Sequence, residues 1–195
     1  MNRVLSIFVL IALLAGAGLA LADTPGYVMR FADVNDEWIV FSYEDDLWLA
    51  PVAGGDARRI TSHQGRELYA KFSPDGSKLA FTARYDGGND VYVMDVMGGV
   101  PERLTYHPSG GTVLGWTPDG KNVLFSSNRY APLYASELYT VPAAGGAAVK
   151  LAVGRGSLAS FAPDGKSMAF KRFGRHTRTW KRYEGGNAQE IWIKD

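Results

Sequence analysis

Three copies of one short motif limit most of what this chain can fold into. Ser73-Pro74-Asp75-Gly76, Thr117-Pro118-Asp119-Gly120 and Ala162-Pro163-Asp164-Gly165 place their aspartates 44 and 45 residues apart. Each copy follows an aromatic residue (Phe72, Trp116, Phe161). Each precedes a short apolar run that ends in Phe81, Phe125 or Phe170. Proline fixes φ and glycine supplies a positive φ, so each motif reads as a tight turn between two strands. A repeat of about 40–50 residues built from short strands is the pattern of an all-β propeller. That scaffold hosts many functions, so function has to be argued from sites.

Aligned on the turns, each unit reads as four strands. Unit two gives Leu68–Phe72, Lys78–Ala83, Asp90–Val96 and Glu102–Thr105, with Gly98-Gly99 turning the third strand into the fourth. Unit three gives Thr112–Trp116, Asn122–Ser127, Glu137–Val141 and Val149–Ala152. Unit one gives Tyr27–Ala32, Trp38–Tyr43, Asp46–Pro51 and Ala57–Thr61, with Val34-Asn35-Asp36-Glu37 in place of the Pro-Asp-Gly turn. Arg59-Ile60-Thr61 and Arg103-Leu104-Thr105 recur 44 apart and fix the register. Unit four supplies Leu158–Phe161, Ser167–Arg172 and Glu190–Ile193, without a fourth strand. The expectation is about four blades, at roughly 26–62, 66–106, 111–153 and 157–195, the last one incomplete. Propellers close with typically 4–8 blades. The chain therefore reads as the N-terminal part of a longer protein. The rival is a short protein that closes as a four-bladed ring or by forming homo-oligomers.

The first 22 residues read as a leader. Arg3 precedes an apolar run from Val4 to Leu14, and Ala20-Leu21-Ala22 fits a small-x-small cleavage site. A membrane anchor over the same residues is the alternative. We expect a signal peptide at 1–22, a partial propeller over 23–195 and a periplasmic or secreted protein with no stable membrane insertion after cleavage. With no cysteine there is no disulfide framework, thiolate chemistry or lipidated N-terminal cysteine. Without Arg3 the charges balance at 20 basic and 20 acidic side chains, which argues against nucleic-acid binding.

No residue forms a recognisable catalytic, cofactor or metal set, and none is expected here. There is no Gly-x-Ser-x-Gly elbow. The three histidines, His63, His107 and His176, have no metal-ligand spacing. His63 and His107 occupy equivalent rim positions and read as polar loop residues. Asp75, Asp119 and Asp164 read as turn residues that bond their own backbone, as do Asp45 and Asp46. Asp86-Gly87-Gly88-Asn89-Asp90 is too short for a calcium loop, and Gly154-Arg155-Gly156-Ser157 reads as an inter-blade connection. The one dense basic stretch, Lys171 to Arg182, carries Lys171, Arg172, Arg175, Arg178, Lys181 and Arg182, interleaved with Phe173, His176 and Trp180. Its readings are a solvated insertion, a contact for a peptide carboxylate or partner domain, or a single-stranded nucleic-acid site.

The repeat, with its aromatic-x-Pro-Asp-Gly, Val91-Tyr92-Val93, Gly98-Gly99 and Arg103-Leu104-Thr105, resembles the TolB-type propeller repeats. Trp38-Ile39-Val40-Phe41 with Asp45-Asp46-Leu47-Trp48 resembles more closely the N-terminal propeller of tricorn proteases and their exported bacterial homologues. So does Trp180-Lys181-x-Tyr183-x-Gly185-Gly186 with Ile191-Trp192-Ile193. The likeness covers Tyr27 to Asp195. It implies a six-bladed first propeller, followed by a second propeller, a PDZ-like domain and a serine-peptidase core that holds every catalytic residue beyond Asp195. It further implies a non-catalytic module that gates peptides or unfolded proteins and partners the rest of its own chain. The alternatives are a TolB-type periplasmic interaction protein with no enzymatic domain, and a propeller fused to an α/β-hydrolase peptidase or an amidohydrolase.

Overall fold

The computed structural model describes residues 28–132, 135–174, 185 and 190–195. Among these residues fifteen strands form four antiparallel sheets. The first holds β1 (Arg30–Val34), β2 (Trp38–Tyr43), β3 (Asp46–Pro51) and β4 (Arg58–Arg59). The second holds β5 (Glu67–Phe72), β6 (Lys78–Ala83), β7 (Asp90–Asp95) and β8 (Glu102–Arg103). The third holds β9 (Thr112–Trp116), β10 (Asn122–Ser127), β11 (Glu137–Pro142) and β12 (Val149–Arg155). The fourth holds β13 (Leu158–Phe161), β14 (Met168–Lys171) and β15 (Ile191–Lys194). Sequential strands pair in order within every sheet. The first strands of the sheets meet in turn, β1 with β5, β5 with β9 and β9 with β13. The sheets are therefore four propeller blades, with β1, β5, β9 and β13 nearest the axis. No described residue is helical, and no helix is long and apolar enough to cross a membrane.

The turns set the blades. Gly76, Gly120 and Gly165 take φ of 72°, 69° and 70°, the left-handed region that glycine enters without a Cβ penalty. Each donates its N–H back to the first residue of its motif, at 2.8–2.9 Å. Asp75 Oδ1 accepts from the Ser73 hydroxyl at 2.6 Å and from Ser77 N–H at 3.1 Å. Asp119 does the same with Thr117 and Lys121. These bonds draw the exposed Asp75 carboxyl down to about 2, the Ser73 hydroxyl contributing most.

The core lies between blades and not within them. One cluster joins Val40, Leu47 and Leu49 to Phe72, Leu79 and Phe81. A second joins Val91 and Val93 to Val113, Val123 and Phe125, and a third holds Leu138, Met168 and Phe170. Middle strands are buried on both faces. Leu79 and Phe81 point one way and Ala80 the other, which explains their unbroken apolar runs. Phe81 and Phe125 are fully buried, each worth about 2–3 kcal/mol of transfer free energy.

The structure departs from the sequence reading mainly at blade margins. The outer strands β4 and β8 shrink to two residues because threonine side chains replace ladder bonds. Thr61 Oγ1 accepts Leu47 N–H at 2.8 Å, and Thr105 Oγ1 accepts Val91 N–H at 3.0 Å. Strand β12 runs on to Arg155 across an irregularity at which Gly154 takes φ 72°. The Gly154–Ser157 stretch is thus half strand and half connection. Asp46 is not in the hairpin turn. Glu44 and Asp45 form it with φ of 51° and 67°, and Asp46 opens β3 with only 9% exposure.

Candidate functional site

The inner strands line a cleft of about 700 Å³. Its walls carry Phe31, Tyr69, Lys71, Leu114, Ser160 and Lys171, from all four blades. Each inner strand is the edge of its sheet, so one row of its backbone groups lies outside the ladder and towards the axis. In three blades that strand also bulges. Pairing slips by one residue between Arg30 and Asp33, between Leu68 and Lys71, and opposite Leu124/Phe125 in β9. A bulge adds a residue to one strand and re-aims its side chain. Here it presents Phe31 and Tyr69 to the cleft, their ring centroids 4.1 Å apart.

Side chains tie the inner strands together around the axis. Asp33 of β1 accepts Phe72 N–H at 3.0 Å and pairs with Lys71 Nζ at 2.8 Å. Trp116 Nε1 of β9 donates to Lys71 O at 2.9 Å. The cleft wall is therefore a braced surface whose polar side chains are largely paired, with Ser157 Oγ donating to Lys171 O at 3.2 Å as well, and what it offers a ligand is aromatic rings and backbone edges. That chemistry suits contact with an extended, uncharged chain. Among the described residues no group of three or more His, Cys, Asp or Glu could hold a metal ion.

The outer rim carries a second repeated arrangement, which is structural. An acidic residue at the start of the third strand meets a basic residue 13 positions on. Asp46 meets Arg59 at 3.3 Å, Asp90 meets Arg103 at 2.7 Å, and Glu137 meets Lys150 at 2.7 Å. Arg103 forks onto Asp86 as well, at 2.7 Å, so the Asp86–Asp90 loop is pinned by an arginine.

Comparison with known proteins decides the family. Residues 26–195 match the tricorn protease N-terminal beta propeller domain. The chain belongs to the tricorn N-terminal propeller family. It is 37% identical over 177 residues, 90% of its length, to tricorn protease homolog 1 of Streptomyces coelicolor, of which it spans 16%. A 70-residue stretch, 34% of this chain, is 34% identical to a putative tricorn-like protease N-terminal subunit of Sulfurisphaera tokodaii, over 35% of that protein. Among solved structures the tricorn protease superposes with TM-score 0.73 at 29% identity, over 87% of this chain and 17% of its own. A putative TolB from Agrobacterium tumefaciens superposes at 0.71 over 86% of this chain and 58% of its own, but at 19% identity, which shows the fold alone.

Within this tricorn-type propeller the residues singled out from sequence scatter. His63 and His107 lie on the rim, and each Nδ1 accepts a nearby backbone N–H, from Gly65 at 2.8 Å and Ser109 at 3.1 Å. Their rings pack on Tyr85 at 4.1 Å and Tyr130 at 5.2 Å. They are loop residues tied to their own turns. Asp45 pairs with Arg66 at 3.1 Å, and not with its own backbone. Of the basic stretch's charged residues only Lys171, at the end of β14, and Arg172 lie within the described residues, the Arg172 guanidinium 5.3 Å from the Trp192 ring centroid. Arg175, Arg178, Lys181 and Arg182 lie outside them, as do Trp180, Tyr183 and the leader at 1–22. The sequence reading missed the cleft aromatics. Phe31 and Tyr69 each sit two residues before the point where pairing resumes, and nothing local in the sequence marks a bulge.

Proposed function

We propose that this propeller is the non-catalytic, peptide-handling module of an exported tricorn-like serine peptidase. It gates peptides or unfolded proteins on their way to or from a catalytic core carried by the rest of a longer chain. The observation that carries this is the axial cleft, lined by strand edges and aromatic rings, in a chain of this family. An extended peptide matches strand edges because its own N–H and C=O groups repeat at the strand spacing. Export rests on the Arg3–Ala22 leader pattern, and a six-bladed ring rests on the resemblance to the tricorn proteases.

The test uses the complete open reading frame. The full-length protein should hydrolyse fluorogenic peptides in a manner abolished by a serine-directed inhibitor, and residues 23–195 alone should hydrolyse none. Ser160→Trp places a bulky ring in the cleft from an exposed position. It should slow cleavage of long peptides several-fold more than cleavage of dipeptide reporters. Equal slowing of both lengths, or none, argues against gating. A TolB-type interaction propeller predicts no hydrolysis by the full-length protein.

A further inference from the structure

Phe31 and Tyr69 are held in a conformation that their side chains disfavour. Their φ values are 55° and 58°, the left-handed region where a Cβ meets the backbone and where bulky residues are outliers. Both lie in the inner-strand bulges, both face the cleft, and they touch at 4.1 Å with planes tilted by 44°. Phe31 keeps 38% of its surface exposed, so the pair is an open apolar face and not a closed core. Glycine would take the same backbone with less strain. Strain retained at such residues marks side chains kept for a task.

We propose that Phe31 and Tyr69 form an aromatic clamp for one bulky apolar side chain of an extended peptide lying in the cleft. The occupant follows from what surrounds the rings. The neighbouring charges are paired, Lys71 with Asp33 at 2.8 Å and Arg30, whose guanidinium lies 5.8 Å from the Phe31 ring centroid, with Asp45 at 3.9 Å, so the rings offer apolar contact beside no unpaired charge. The adjoining inner strands are sheet edges, whose outward N–H and C=O groups suit a strand-like ligand backbone. The rings supply a side-chain preference that backbone pairing alone lacks. This inference rests on the peptide-handling reading above.

Glycine substitution separates clamp from scaffold. In the full-length protein, fluorescence anisotropy would compare a labelled Gly/Ser hexapeptide bearing a central phenylalanine with its central-serine twin. The wild type should favour the phenylalanine peptide by about tenfold, the worth of one partly buried ring. Phe31→Gly, Tyr69→Gly and the double variant should bring that ratio close to one and leave binding of the serine peptide unchanged. Their melting temperatures should hold or rise, because glycine fits the left-handed backbone. A ratio that persists in the variants, or a wild type that binds both peptides equally, overturns the clamp and leaves peptide handling standing. A fall in both affinities together with a lowered melting temperature makes the pair a structural staple between blades, which also overturns the clamp. A wild type that binds neither peptide removes the peptide-handling reading and the clamp with it.

Discussion

At the scale of single residues, the most consequential side chain is one that the sequence did not advertise. Glu67 is fully buried at the start of β5. Its carboxylate accepts from the Tyr85 hydroxyl at 2.6 Å, from Leu47 N–H at 3.3 Å and from the Thr61 hydroxyl. It therefore clasps blade two to blade one. Burial pushes its pKa up from 4.5, against the pull of those donors, and the Asp46 carboxylate adds to the rise. A carboxyl with a raised folded-state pKa leaves the folded state holding more protons than the unfolded one. Its cost is thus greatest at neutral pH and is relieved as pH falls through the raised value towards 4.5. Glu67→Gln, which can still accept from Leu47 and Thr61, should flatten the fall in stability between about pH 4.5 and neutrality. Glu67→Ala should cost about 2–3 kcal/mol, because several buried donors lose their acceptor. Denaturant melts across pH would check both. Glu67 was illegible because it occurs in one blade only, and the matching position in blade three is Gly111. The pairs Asp46–Arg59 and Asp90–Arg103 were half legible, since the Arg-x-Thr echo showed the basic partner without the acidic one.

At the scale of elements, the turns read clearly and the bulges did not. Pro-Asp-Gly encodes its geometry locally, through a fixed φ, a carboxylate acceptor and a residue without Cβ. The strands beside it, β6, β9, β10 and β13, accordingly run as their sequences predict, and β2 and β3 do so without it. A bulge answers a tertiary demand, and aromatic residues such as Phe31 and Tyr69 argue locally against the conformation they adopt. Two glycines separate the local cost from the packing cost. Gly120 has φ 69°, and an added Cβ would meet nothing closer than Pro74 Cδ at 3.7 Å. Gly120→Ala should therefore lose about 1 kcal/mol, from backbone strain alone. At Gly156 an added Cβ would lie 2.5 Å from Leu138 Cγ, in the third inter-blade cluster. Gly156→Ala should cost clearly more, about 2–3 kcal/mol, through overpacking. Equal destabilisation of the two variants in thermal melts would count against this account of the blade junctions.

At the scale of the whole molecule, the propeller was legible because its information repeats. Three turns at near-constant spacing outvote any single ambiguous strand. The cleft was not legible, because it exists only where inner strands from four blades converge, and their residues lie far apart in sequence. The last described blade leaves Ile191 and Ile193 75% and 73% exposed on β15, an apolar surface larger than lone exposed residues make. The chain spans 16% of the Streptomyces protein and 17% of the solved tricorn protease, so both are far longer than it. The central claim is that peptides travel along the inner strands. The most direct measurement is photo-crosslinking of a substrate peptide, carrying a photoreactive phenylalanine, to the full-length protein, with the adducts mapped by mass spectrometry. The account predicts adducts on β1, β5, β9 and β13, with Phe31 and Tyr69 among them. Adducts confined to the outer rim at β4, β8 and β12, or none on this propeller, would contradict it.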